Sequence, residues 1–221
     1  MIITIDGPAG SGKSTVAARL ADRLGVTYLD TGAMYRCVTL AALQRQVDLD
    51  DPDALARLAA QIRIEMRRED GLSHVLLDGR DVTDAIRTKD VTDNSGPIAD
   101  APGVRAELVA QQQRIGHEAG SLVTEGRDQG TVVFPQAKFK FYLDADAECR
   151  ARRRHEELVQ KGLPVDYETI LAAQRRRDER DKNRSVGALK TPQGAAIIDT
   201  TNMSIADVVE AIYRHVTGGN L

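Results

Sequence analysis

Tryptophan is absent from this chain, and aromatic residues make up only 4% of it. That is too little to build the stacking platforms on which single-strand nucleic-acid binders rely. A basic excess is missing as well: Lys and Arg total 30 against 33 Asp and Glu, a formal net charge of -3. Nucleic acid is therefore not an expected partner, because its binders carry a basic patch or stripe. Cysteine is limited to Cys37 and Cys149, far apart and outside any C-x-x-C pair, which suits a reducing, cytoplasmic setting. His74, His117, His155 and His215 are scattered, without the spacing of metal ligands. No apolar run approaches the roughly 18 residues of a membrane span. The opening Met1-Ile2-Ile3-Thr4-Ile5-Asp6-Gly7 lacks the charged and apolar regions of a signal peptide, so no membrane partner is expected.

What remains is a chain of 221 residues with 42% apolar content, enough for one sizeable α/β domain with small inserts. Ile2–Ile5 is a short β-branched run closed by Asp6-Gly7 and reads as a buried strand. Val16, Leu20 and Leu24 recur at helical spacing over Lys13–Leu24, with Gly25 as a stop. Val26–Leu29 predicts a second strand and Met34–Gln44 a second helix. From Ile62 to Val82 apolar and polar residues alternate around Asp70-Gly71 and Asp78-Gly79, which predicts three short antiparallel strands. Later elements are a helix over Pro102–Ile115, a strand over Leu122–Thr124, and a strand at Phe139, Phe141 and Leu143. A charged helical stretch spans Asp146–Asn183, broken near Gly162-Leu163-Pro164, and Ala196–Ile198 is a last strand. Ser204 and Asp207 form a capping pair ahead of a helix whose apolar face is Ile205, Val208, Val209, Ile212 and Val216. Strands alternating with helices predict an α/β fold, a mostly parallel sheet covered on both faces.

The most specific local pattern is Gly7-Pro8-Ala9-Gly10-Ser11-Gly12-Lys13-Ser14, a full G-x-x-x-x-G-K-S/T between a strand and a helix. The glycines let successive backbone N–H groups point inward at phosphate oxygens, and the helix start adds its positive dipole end. Lys13 reaches the β- and γ-phosphates, and the Ser14 hydroxyl suits Mg²⁺. A nucleoside triphosphate is the expected ligand. No Asn-Lys-x-Asp motif of a GTPase occurs. Asp93-Asn94-Ser95-Gly96 fits D-x-x-G, a pattern common by chance, so a nucleotide switch is the less favoured reading.

Two further segments follow predicted strands: Leu29-Asp30-Thr31-Gly32-Ala33-Met34-Tyr35-Arg36, and the run from Glu125-Gly126-Arg127-Asp128 to Phe134-Pro135. The C-terminal ends of parallel strands are where α/β sheets bind ligands. With the phosphate loop, the antiparallel insert and the stretch Arg177-Asp178-Glu179-Arg180-Asp181-Lys182-Asn183-Arg184, these segments resemble the bacterial cytidylate kinases, of the nucleoside monophosphate kinase group. The resemblance runs nearly end to end.

It implies transfer of the γ-phosphoryl group of ATP to CMP or dCMP, giving CDP or dCDP and ADP, with Mg²⁺ as cofactor and Ser14 as its protein ligand. It implies ATP contacts from Gly7, Pro8, Ala9, Gly10, Ser11, Gly12, Lys13, Ser14 and Thr15. Arg150, Arg153 and Arg154 look like lid arginines over ATP. Lys13, Arg127, Arg154 and Arg184 take the catalytic positions. Arg36, Arg127 and Arg184 would hold the acceptor phosphate and the transferring group; Arg105 and Asp128 would read the cytosine edge. Arg177, Asp181, Thr31 and Tyr35 would contact the sugar. Family members commonly carry Ser where Gly96 stands, with Ser95 one residue early, and Glu125 stands where Asp is frequent. The resemblance also implies a core of about 1–49, 101–147 and 185–221, an acceptor insert of about 50–100 and a helical lid of about 148–184. A monomer is expected.

Spacing alone leaves plainer readings open. Arg177, Asp181 and Arg184 share a helix face at i, i+4 and i+7 and could be a solvated stripe. The Arg150–Arg154 run could be a solvated face or an RNA patch. Tyr35 and Phe134 suit packing, Asp30 a helix cap, and the cysteines core or neutral surface positions.

Overall fold

Ile3 and Ile5, buried completely, lie on the first strand, and both faces of that strand are covered, which is why Ile2–Ile5 reads as a continuous apolar run. The computed structural model describes residues 1–69, 72–160, 162–163 and 165–218. Along the chain run β1 (Ile2–Asp6), α1 (Lys13–Leu24), β2 (Thr27–Asp30), α2 (Thr31–Gln44) and α3 (Pro52–Gln61). Then come β3 (Ile64–Glu69), β4 (Leu72–Leu77), β5 (Arg80–Asp81), α4 (Lys89–Asp100), α5 (Pro102–Ala119) and β6 (Leu122–Gly126). The remainder is a π-helical turn at Gln129–Val133, β7 (Phe139–Asp144), α6 (Ala147–Gln160), α7 (Tyr167–Asn183), β8 (Ala196–Asp199) and α8 (Ile205–Thr217). The chain divides into two compact units, Met1–Thr27 with Ser121–Leu221, and Tyr28–Gly120.

The first unit carries four strands of the main sheet, ordered β6-β1-β7-β8. β1 pairs in parallel with β6 and β7, and β7 with β8. The predicted α/β class with a parallel sheet is therefore what the chain forms. Leu122, Val123, Phe141 and Leu143 join Ile3 and Ile5 in its core. α1 buries Val16, Ala17, Leu20 and Ala21 and ends where Gly25 turns left-handed at φ 65°, a conformation without steric cost only for glycine. α8 opens with the predicted capping box between Ser204 and Asp207 and buries Val208, Val209 and Ile212. β8, at one edge of the sheet, turns Ile198 inward and leaves Ile197 65% exposed.

The second unit holds α2 to α5 and the three-stranded sheet β3-β4-β5. β3 and β4 are antiparallel, with Ile64 opposite Leu77 and Met66 opposite Val75. The predicted turn at Asp70-Gly71 lies outside the described residues, as does Pro164 of the predicted break between α6 and α7. The second turn is as the sequence suggests: Asp78 and Gly79 both have positive φ, 51° and 79°, the signature of a two-residue hairpin loop. Asp78 adds side-chain anchors, accepting from Arg63 N at 2.8 Å and Arg45 Nη2 at 2.9 Å.

Two helices escaped the sequence reading. α3 has a legible start, since the Asp51 carboxylate accepts from Asp53 N and Ala54 N and Pro52 opens the helix. α4 is masked by Gly96-Pro97, two breakers inside it, yet Thr88 caps its start and Val91 and Ile98 bury its apolar side. The strand expected from Val26 begins at Thr27, and the helix expected from Met34 begins at Thr31. There the Asp30 carboxylate accepts from Ala33 N, confirming the cap reading of Asp30 and starting the helix one turn early.

Cys37 is fully buried and Cys149 partly so, and both thiols are free. Burial, with Asp30 nearby, pushes the Cys37 thiol up to about 12. In the folded protein at pH 8, a disulfide reagent should modify Cys149 alone, and Cys37 only after denaturation. Counting titrated thiols before and after adding denaturant checks this; equal early reaction of both would contradict the burial of Cys37.

Candidate functional site

The loop between β1 and α1 curls back over the start of its own helix. Gly7 cannot carry a side chain, because a Cβ there would lie 2.0 Å from the Leu143 carbonyl oxygen. Gly12, at φ 88°, makes the left-handed step into α1. Lys13 is 4% exposed, and its ammonium donates to Pro8 O at 2.7 Å. Burial first, and then the Arg127 charge, pulls its pKa down to about 7. A phosphate in the loop would reverse that, since an adjacent opposite charge favours the ammonium. The Ser14 hydroxyl donates to Glu125 Oε1 at 2.7 Å. A hydroxyl and a buried carboxylate at the mouth of a phosphate loop form the all-oxygen donor set that a hard divalent cation takes.

Glu125 and Arg127 lie at the end of β6, where the sheet register sets Gly126 opposite Asp6. Arg127 Nε donates to Asp181 Oδ2 at 2.7 Å, and Arg184 Nη2 donates to Asp181 Oδ1 at 2.8 Å. Burial alone would raise the Asp181 carboxyl; the Arg127 charge and hydrogen bond, with Arg177 and Arg184, hold it below the usual carboxylate range. Both Asp181 and the Arg184 side chain are nearly inaccessible, at 6% and 5%, so these two are not part of a solvated stripe. Three guanidinium groups thus act on one carboxylate within a unit that also holds Lys13. The surplus positive charge suits a phosphate-bearing ligand. Asp128 is buried, and its carbonyl accepts from Val133 N at 3.2 Å, the five-residue bond that starts the π-helical turn.

In the second unit the structure brings together a different set. Thr31 is buried in the first turn of α2. Arg36 Nη1 donates to Thr92 Oγ1 at 2.9 Å and to Ile86 O at 3.2 Å. Ser95 Oγ donates to Thr92 O at 2.9 Å, and Gly96 is buried beside it in α4. The Arg105 guanidinium, 2% exposed, donates to Ala99 O at 3.1 Å and lies 5.3 Å from the Tyr35 ring centroid.

A family model described as Cytidylate kinase matches residues 3–218. The chain belongs to the cytidylate kinase family. A cytidylate kinase of Pasteurella multocida is 46% identical over 216 residues, 98% of this chain and 95% of that protein. One from Pseudomonas aeruginosa is 48% identical over 217 residues, 97% of this chain and 94% of that protein. Among solved structures, an uncharacterized protein from Eubacterium ventriosum matches with a TM-score of 0.55, covering 99% of each chain at 13% identity, a likeness of fold alone.

In this cytidylate kinase family member the expected lid arginines differ in their surroundings. Arg150 is buried: Nε donates to Ala145 O at 2.8 Å, Nη1 to Ala9 O at 3.0 Å, and a fork of 3.1 and 2.6 Å meets Asp178. It braces the phosphate loop from α6 while Asp178 of α7 neutralises it. Gln174 also donates to Ala9 O. Arg153 Nη2 donates to Thr200 O at 2.6 Å, and the exposed Arg154 pairs with Glu157. Sequence reasoning missed Gln174 and Asp178. Asp178 lies within the charged stretch 177–184, but its partner is 28 residues away. Asp6 was missed too: it is completely buried, and burial, partly offset by hydrogen bonds from Gly130 N and Gln129 N, raises its pKa to about 7.

Asp178→Ala strands the buried Arg150 charge. It should lower stability by about 3–5 kcal/mol, read from denaturant unfolding. A loss under about 1 kcal/mol would mean the fork contributes no more than a surface pair.

Proposed function

We propose that this protein carries out phosphoryl transfer from ATP to CMP or dCMP through the cluster of Lys13, Arg127, Asp181 and Arg184 in the first unit. The observation that carries the reading is the buried set of arginines gathered on Asp181 in the same unit as a complete phosphate loop. A phosphate oxygen of CMP attacks the γ-phosphorus of ATP, the bond from γ-phosphorus to the bridging oxygen breaks, and ADP leaves. The CMP phosphate is largely dianionic at neutral pH, so no strong base is required. Catalysis then rests on positioning and charge neutralisation. Residues Gly7 to Thr15 bind the ATP phosphates, with Lys13 on the β- and γ-phosphates. Ser14, with Glu125 orienting what surrounds it, would hold Mg²⁺, which neutralises phosphate charge when bound.

Arg127 and Arg184 meet the phosphoryl groups, and Arg177 and Asp181 the acceptor sugar. Asp128 accepts from the exocyclic amine of cytosine, where uracil presents a carbonyl instead. In the second unit, Thr31, Tyr35, Arg36, Ser95, Gly96 and Arg105 serve CMP, with Arg36 on its phosphate and Arg105 on its base. Residues of about 148–184 form the lid, from which Arg150, Arg153 and Arg154 support ATP and limit water, and residues of about 50–100 form the acceptor insert. The protein works as a monomer in the cytoplasm, a setting its two free thiols support.

A coupled ADP-release assay with ATP and Mg²⁺ should give strong turnover with CMP and dCMP and little with UMP, AMP or GMP. Comparable turnover with UMP would refute base reading by Asp128. No turnover with any acceptor, on folded protein that binds ATP, would refute the kinase reading. Arg127→Ala should lower kcat by about 10³-fold with ATP affinity within about threefold.

A further inference from the structure

The two residues assigned above to the acceptor, Arg127 and Asp128, sit on a turn held from beneath by one carboxylate. Asp6 is the last residue of β1, and the sheet register sets it opposite Gly126. Its side chain then reaches past Arg127 and Asp128 to the next two amides: Gln129 N donates to Oδ1 at 2.8 Å, and Gly130 N donates to Oδ2 at 2.7 Å. Arg127 and Asp128 are thus bracketed by attachments to a single residue, by sheet register before them and by side-chain hydrogen bonds after them.

The rest of the turn is held as closely. Thr124 Oγ1 donates to Gln129 Oε1 at 2.8 Å, and both residues are buried. Gly130 is pressed against a wall: a Cβ there would lie 2.7 Å from Pro192 Cγ, 2.9 Å from Pro192 Cβ and 3.0 Å from Thr4 Oγ1. The turn itself is π-helical, a rare geometry that needs support from its surroundings and concentrates at functional sites. A fully buried carboxylate is costly in a core, and here both its oxygens go to this one turn.

We infer that Asp6 is a positioning residue for the acceptor nucleotide: through the Gln129 and Gly130 amides it fixes the backbone that aims Arg127 and Asp128, and it ties that aim to the phosphate loop starting at Gly7. The inference rests on the acceptor reading of Arg127 and Asp128 given above. Asp6 itself touches neither substrate.

The test is calorimetric titration of CMP and of ATP, separately, into the parent protein and the variants Asp6→Asn, Gly130→Ala and Asp128→Asn, with a melting curve for each. Asn at position 6 keeps one acceptor oxygen and turns an N–H donor on the other amide. It should weaken CMP binding about tenfold or more while ATP affinity stays within about threefold. Gly130→Ala keeps the carboxylate but pushes the turn off Pro192, and should show the same split; it decides the matter if Asp6→Asn does not fold. Unchanged CMP affinity in a folded Asp6→Asn protein, or equal weakening of CMP and ATP, would overturn the positioning role, provided Asp128→Asn does weaken CMP. If Asp128→Asn leaves CMP affinity intact, the acceptor reading fails and the inference falls with it.

Discussion

Within the first unit a buried ammonium and several buried guanidinium groups coexist: Asp178 and Asp181 pair the guanidinium groups, while Glu125 and Asp6 offset the ammonium. Lys13 is 4% exposed, and the Arg150 and Arg184 side chains 6% and 5%. Burial disfavours each of these charges, and like charges held closely in a poorly solvated region also repel; the Lys13 ammonium is depressed first by burial and then by the Arg127 charge. Asp178 meets Arg150 with a two-pronged fork, and Asp181 divides its oxygens between Arg127 and Arg184. Both acids come from α7, so one helix supplies the compensation for arginines contributed by α6, the end of β6 and its own C-terminal cap. The acids neutralise part of the positive charge, and what is left is available to phosphate. On the function proposed above, structure and chemistry share this one electrostatic arrangement.

Three connected features fix that arrangement. The parallel register between β1 and β6 brings the start of the phosphate loop level with the segment carrying Glu125 and Arg127. Gly7 lets β1 turn at the Leu143 carbonyl with no side chain in the way. Arg150 then reaches Ala9 O from α6, so the loop is braced by the same helix pair that gathers the cations. For a reaction between two polyanions, rigid placement of charge counts for more than any proton transfer. The contacts in this unit are short and fork-like, of the kind that supplies such placement.

Legibility in the sequence followed the range of each interaction. The phosphate loop was plain because its chemistry is written in eight consecutive residues between two recognisable elements. The Asp78-Gly79 turn, the capping box at Ser204 and the stop at Gly25 were plain for the same reason. Arg177, Asp181 and Arg184 were ambiguous: helical spacing set them on one face, but only burial against Arg127, which directly follows β6, separates an ion cluster from a solvated stripe. Asp6 and Gln174 could not be found locally. Their partners, Gly130 and Ala9, lie 124 and 165 residues away. α4 was hidden by Gly96-Pro97, where tertiary burial of Val91 and Ile98 overrides poor helix propensity.

The edge of the main sheet carries a consequence for handling the protein. β8 is only four residues long, and Ile197 stands exposed on it. An open strand edge with a bare branched side chain invites pairing between copies during concentration or crystallisation. Its shortness and the charge of the neighbouring Asp199 counter that tendency, as gatekeeping residues do on natural sheets. This edge, far along the chain from the phosphate loop, is therefore one place to tune behaviour at high concentration, by a polar replacement of Ile197 that leaves the buried Ile198 undisturbed.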